Sequence, residues 1–198
     1  MRYFLGIDQS TVCTGWCLLP VTNDNLTREL VGQFDHEFSP VTGTGQKLED
    51  WWDRSQLLLA LLDAFIIEHK HEIVAVGLEQ PNVSRNLVTT RELCGISGII
   101  QYWFRTVHDM YPNEIPTPTC KAAVGRGFWK KKQKRDKKGV VDIVNLRFGL
   151  DFIFTTSKAK GAPKSDDNKT DAVAVACALK EAMPDIVELE LKRLDTEK

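Results

Sequence analysis

The chain has 198 residues, 42% hydrophobic and 27% charged, with a net charge of −1. These values suit one soluble globular domain with a sizeable core. No apolar run approaches the ~20 residues that span a bilayer, and the opening MRYFLGID lacks the apolar stretch of a signal peptide. A cytoplasmic protein with no membrane partner is expected. Five scattered cysteines (Cys13, Cys17, Cys94, Cys120, Cys177), with no second pair and no histidine cluster beside Cys13 and Cys17, exclude a zinc site and read as reduced, mostly buried thiols.

In chain order, residues 3–8 and 14–20 read as two strands joined by the polar turn 9–13, and 28–38 as a third strand completing an antiparallel meander. A Gly/Thr-rich loop follows at 39–46. From Lys47 to His69 apolar residues recur at helical spacing (Leu48, Trp51, Trp52, Leu58, Leu59, Leu62, Phe65, Ile66), predicting a long amphipathic helix. The run EIVAVGLE, 72–79, predicts a central strand. Residues 87–110 predict a second long helix, with Gly95, Ser97 and Gly98 suited to close packing. NEIPTP, 113–118, predicts a short extended piece, 138–148 a helix, and DAVAVACALKEAM, 171–183, a clear helix after a polar loop. Strands first and then strand–helix alternation predict an α/β domain over 1–183 with a mixed five-stranded sheet flanked by helices, and a C-terminal tail over 184–198. The four histidines form no ligand-spaced cluster and are expected on the surface.

Two predicted core strands end in carboxylates, Asp8 and Glu79, and a third acid, Asp171, opens the last predicted helix. Asn168 and Asp167 precede it by three and four residues, on the same face of that turn. Strand ends and a helix start can converge at one edge of an α/β sheet. Three or four oxygen donors there repel one another unless a cation sits between them, and an all-oxygen set selects Mg²⁺ or Mn²⁺. Two such ions about 4 Å apart activate a water and stabilise the leaving oxygen of a phosphodiester. The plainer reading makes each acid a turn or capping residue, with Asp167 or Thr170 as N-cap.

GIDQSTVCTGW resembles the first motif of the RuvC family of Holliday-junction resolvases, the crossover junction endodeoxyribonucleases. VGLEQP resembles the second motif, PTPTCKAAVGRG the lysine–glycine segment, and NKTDAVAVA the last motif, in the family's order across residues 1–182. The resemblance implies an RNase H-like fold, a homodimer, and Mg²⁺-dependent nicking of paired strands in four-way DNA. It maps the metal-binding acids to Asp8, Glu79 and Asp171. The fourth family position, often aspartate, is Asn168 here, whose amide oxygen can ligate without charge; Asp167 is the alternative. The length and basic insertion look like phage-type members. An aromatic that the family commonly carries three residues after the glutamate is replaced by the stretch Pro81-Asn82-Val83.

The charge is unevenly placed. Between Lys121 and Lys138 lie nine basic residues (Lys121, Arg126, Lys130, Lys131, Lys132, Lys134, Arg135, Lys137, Lys138) and one acid, Asp136, so this segment carries +8 and the remainder −9. Such a patch neutralises phosphates and predicts salt-dependent DNA binding. Gly125 and Gly127 are candidates for bringing backbone N–H groups to phosphate. Phe128 and Trp129 either stack on unpaired bases or pack in the core. Two other classes compete. DQSTVCTG also resembles the phosphate loop of sugar kinases and chaperone-type ATPases, although no second glycine-rich phosphate loop follows. A non-catalytic junction-binding protein would fit Asn168. The leading expectation is a structure-selective DNA endonuclease acting on branched DNA, with two Mg²⁺ ions and no small-molecule cofactor.

Overall fold

The computed structural model describes residues 1–39, 46–81, 86–130, 134–156 and 165–196. Five strands form one mixed sheet in the order β3-β2-β1-β6-β7. Strand β1 (Tyr3–Asp8) runs antiparallel to β2 (Cys13–Pro20), which pairs antiparallel with β3 (Val31–Asp35). On its other edge β1 runs parallel to β6 (Ile73–Glu79), and β6 parallel to β7 (Asn113–Ile115). The predicted mixed five-stranded sheet is therefore present. Two-residue strands β4 (Phe38–Ser39) and β5 (Gln46–Lys47) pair as a separate ribbon.

Helices α1 (Trp51–His69) and α2 (Leu87–Val107) cover one face of the sheet. There Leu5, Ile7, Leu18, Val76 and Leu78 meet Leu58, Leu62, Ile66, Ile96, Ile100 and Phe104. The other face carries α3 (Thr117–Val124), α4 (Lys137–Phe148) and α5 (Asp167–Ala182), packed on Phe4, Cys17 and Leu19. Alternate strand residues thus feed two separate cores, as the two-residue period of a strand requires. Helix α5 lies on the sheet at backbone distance because its alanines and the strand glycines are small. A Cβ on Gly6 would stand 2.4 Å from the Ala172 carbonyl oxygen, and one on Gly15 would stand 2.0 Å from that of Asn168.

Helix α6 (Pro184–Thr196) packs Ile186 and Val187 on the same core, and its buried Glu190 pairs with Arg2 and Arg193. That contact fastens the C-terminal segment to the start of β1.

Several expected boundaries shift. The stretch 28–38 splits into a 3₁₀ turn at Arg28–Leu30 followed by β3, and α1 begins at Trp51, where Asp50 accepts from the Trp52 N–H at 2.7 Å. The extended piece at 113–118 ends at Ile115, and Thr117 already belongs to α3. Pro118 lies in its first turn, where a missing N–H costs nothing. Helix α5 starts at Asp167, so Asp171 lies one turn inside the helix and does not open it. The N-cap position is Asp166 rather than Asp167 or Thr170.

The surface expectation for the histidines fails at two of four. His36 is fully buried with a ring nitrogen 3.1 Å from Thr14 Oγ1, and His108 is buried with its ring centroid 4.4 Å from that of Trp103. Burial favours the neutral form of His36, and Thr14 supplies the polar partner that makes its burial tolerable.

Candidate active site

Period-two alternation decides which way the strand-end acids point. Gly6 and Gly77 face α5, so Asp8 and Glu79, two residues further along parallel neighbours, leave the sheet on that same side. Helix α5 crosses above them and presents Asp171 and, one turn earlier, Asn168. All four line one cleft of about 270 Å³, together with Gln9, Lys121 and Lys137. The strand order, the glycine-lined approach and the helix start together bring residues 160 positions apart in sequence to one place.

The electrostatics of the cleft are those of crowded acids. Burial, a side-chain hydrogen bond to Glu79, and the charges of Glu79 and Asp171 push Asp8 well above the usual carboxylate range. Burial and the charge of Glu79 raise Asp171 to about 7, against the pull of Lys137 and Lys121. Like carboxylates repel, and that repulsion together with burial favours the neutral form of Asp8. Among the described residues, no three His, Cys, Asp or Glu side chains stand in an arrangement that could hold a metal ion as they are. The donors nevertheless have the chemistry of a hard-cation site: a buried Asp8 with half-buried Glu79 and Asp171, none of them ion-paired among the described residues, and oxygen as the only ligand atom they offer. The nearby Cys120 thiol, raised to about 12 by burial and the charges of Glu79 and Asp8, stays protonated and donates to the Ile115 carbonyl.

Asn168 and Asp167 go different ways. The Asn168 Nδ2 donates to the Cys13 main-chain oxygen at 3.0 Å, which leaves its Oδ1 as the remaining acceptor. Asp167 is paired with Lys137. Burial opposes its ionisation, but hydrogen bonds from Lys137 and Ser165 hold its carboxyl below the ordinary range. Asn168 therefore lines the cleft, while Asp167 fixes Lys137 at its rim.

The basic segment divides in the same manner. Lys121, on α3, and Lys137, at the start of α4, border the acids. Lys130, Lys134, Arg135 and Lys138 are exposed, with Lys138 2.6 Å from Asp142. Arg126 is turned away from the cleft and makes two 2.8 Å bonds to Glu181. Lys131 and Lys132 lie outside the described residues, as do Asn82 and Val83. Phe128 and Trp129 pack against the core, and Trp129 Nε1 donates to the Lys121 carbonyl at 2.8 Å. Gly125 lies directly beneath the Trp129 ring, so its smallness serves that packing. Asp136, the lone acid of the segment, caps α4 through the Gly139 N–H at 2.9 Å.

Sequence reasoning missed Gln9, which is 7% exposed in the cleft and donates from Nε2 to the Glu79 main-chain oxygen. Its place beside Asp8 was the available signal.

A five-stranded mixed sheet with acids gathered at the ends of its two central parallel strands defines an RNase H-like fold. Among solved structures, RuvC of Thermus thermophilus in complex with Holliday junction substrate shares that fold, with a TM-score of 0.59 at 16% identity over 90% of this chain and 92% of the other. A second Thermus thermophilus RuvC structure matches with a TM-score of 0.54 at 16% identity, covering 89% and 92%. No family model matches the sequence, and no curated protein matches it.

Proposed function

We propose that the chain is a metal-dependent, structure-selective DNA endonuclease that resolves four-way or other branched DNA by paired nicks. The observation that carries this reading is the acid cleft around buried Asp8, bordered by Lys121 and Lys137 and flanked by the exposed basic segment. A fold shared with RuvC bound to Holliday junction substrate supports it. Asp8, Glu79, Asp171 and the Asn168 amide oxygen would hold Mg²⁺, or Mn²⁺ in its place, in two sites. The ions would supply an activated water and stabilisation of the leaving oxygen. Lys121 and Lys137 would pin the scissile phosphate, and Asp167 would hold Lys137 in position. Lys130, Lys131, Lys132, Lys134, Arg135 and Lys138 would follow the backbone beyond it. Arg126, paired with Glu181 at the surface, would join the DNA-binding set by exchanging that carboxylate for a phosphate.

Two copies would be needed for symmetric cuts, and the exposed apolar side chains Leu87, Val88 and Tyr102 of α2 offer a face for pairing. Residues 1–183 would form the nuclease domain, at work in the cytoplasm of a bacterial or phage-infected cell.

The test is a labelled four-way junction beside linear duplex and single strand, in Mg²⁺ and in EDTA. Symmetric nicks on the junction alone, absent in EDTA, are expected. Equal cutting of linear duplex would reject structure selectivity, and a bound but uncut junction would leave a binding protein.

A further inference from the structure

Gln9 carries a buried group with no partner. Its Nε2 is committed to the main-chain oxygen of Glu79, and since that oxygen only accepts, the orientation of the amide is fixed. Its Oε1 is left as an acceptor, is buried, and has no hydrogen-bond partner among the described residues. Buried polar atoms are almost always paired, because leaving one unpaired forfeits its hydration with no return. The donor for Oε1 therefore arrives with whatever the cleft binds.

The chemistry of the cleft narrows that donor. The cleft is also lined by Ser10, Thr117, Lys121 and Lys137, yet none of these donors reaches Oε1, and Lys137 is paired with Asp167. At a site that cuts the sugar–phosphate backbone, a phosphate brings acceptors, deoxyribose within a strand brings no hydroxyl, and the N–H donors of the bases lie away from the scissile bond. Hydration water around a divalent cation brings O–H donors and little else.

We infer that Gln9 is a positioning residue of the acid site: its Nε2 ties the end of β6 to the end of β1, and its Oε1 accepts from cation hydration water beside Asp8 and Glu79. This rests on the metal-site reading above. The amide sets the position of Glu79 through the backbone and orients the water shell through its oxygen. Partners of this kind typically change metal affinity or activity by ten- to a hundred-fold when removed.

The experiment uses Gln9→Met, which keeps length and volume without either polar atom, with Gln9→Leu as the second variant should the first fail to melt cooperatively. Mn²⁺ affinity is measured on the DNA-free protein by electron paramagnetic resonance. Junction affinity is measured in EDTA, and kcat and KM at saturating Mn²⁺, with Asp8→Asn alongside. Expected are a roughly ten-fold or greater loss of Mn²⁺ affinity, a fall in kcat, and an unchanged KM and EDTA junction affinity. Mn²⁺ affinity and kcat within twofold of the unsubstituted protein, while Asp8→Asn abolishes Mn²⁺ binding, would overturn the role of Gln9 and leave the metal site standing. No Mn²⁺ binding by the unsubstituted protein would overturn both.

Discussion

Asn168→Asp restores the residue type that the resemblance leads one to expect, and the structure predicts that it harms the protein. The Asn168 Nδ2 donates to the Cys13 carbonyl at 3.0 Å. A carboxylate there loses a bond worth about 1 kcal/mol and faces an acceptor with an acceptor, at a further cost of about 1–3 kcal/mol. It also adds charge beside Asp171, already raised to about 7, and near Asp8 and Glu79. A loss of about 2–4 kcal/mol follows in EDTA, equivalent to roughly 5–15 °C in Tm for a domain of this size. Asn168→Ala, which only deletes the bond, loses about 1 kcal/mol. Thermal melts of the three proteins in EDTA and in millimolar Mg²⁺ are the assay, with Mg²⁺ recovering more stability for the Asp variant than for the Ala variant. An Asp variant as stable as the unsubstituted protein in EDTA would refute the amide orientation and the crowding argument together.

Other substitutions test other parts of the account. Gly15→Ala drives a Cβ to 2.0 Å from the Asn168 carbonyl oxygen and lifts the start of α5, so cleavage and Tm should both fall; normal cleavage would mean that α5 does not set the site. Arg126→Ala, which removes an exposed ion pair with Glu181, should leave stability and junction affinity almost unchanged, whereas Lys137→Ala should lower cleavage sharply. Combining Lys130→Ala with Lys134→Ala should flatten the dependence of junction affinity on salt by about two phosphate contacts, read from binding isotherms at several salt concentrations.

His36 should leave a signature at acid pH. Burial holds its imidazole at about 4, with Asp35 raising it and Arg54 lowering it further. A depressed histidine contributes stability that is complete above its unfolded value near 6.5 and is lost as pH falls toward 4. The stability difference between the protein and His36→Gln should therefore shrink by about 3 kcal/mol over that range. Asp8 and Asp171, raised rather than lowered, act in the opposite sense in both proteins and cancel in the difference. Parallel pH–stability curves would contradict the buried neutral ring.

Much of this fold was legible because its main elements carry simple periodicities. The apolar strands ending in Asp8 and Glu79, the long α1 and α2, and the alanine-rich α5 each announce themselves within a dozen or so residues. So did the candidate acids, because a carboxylate at the end of a buried strand is costly without a purpose. What escaped depends on partners distant in sequence. Nothing near Arg126 points to Glu181, 55 residues on, and nothing near His36 reveals that Thr14 will meet its ring. Helix α3 hid because a proline in a first turn reads equally well as an extended segment. The start of α5 was placed late because its first turn, Asp167 to Thr170, is polar, and its apolar pattern begins only with Ala172.

The central claim is that Asp8 belongs to a cation-dependent cutting site. The most direct measurement is cleavage of a labelled four-way junction in Mg²⁺ by the protein and by Asp8→Asn, with junction binding recorded for both. The account predicts paired nicks from the unsubstituted protein, and from Asp8→Asn a junction bound with undiminished affinity and left whole. Equal cutting by Asp8→Asn would contradict it.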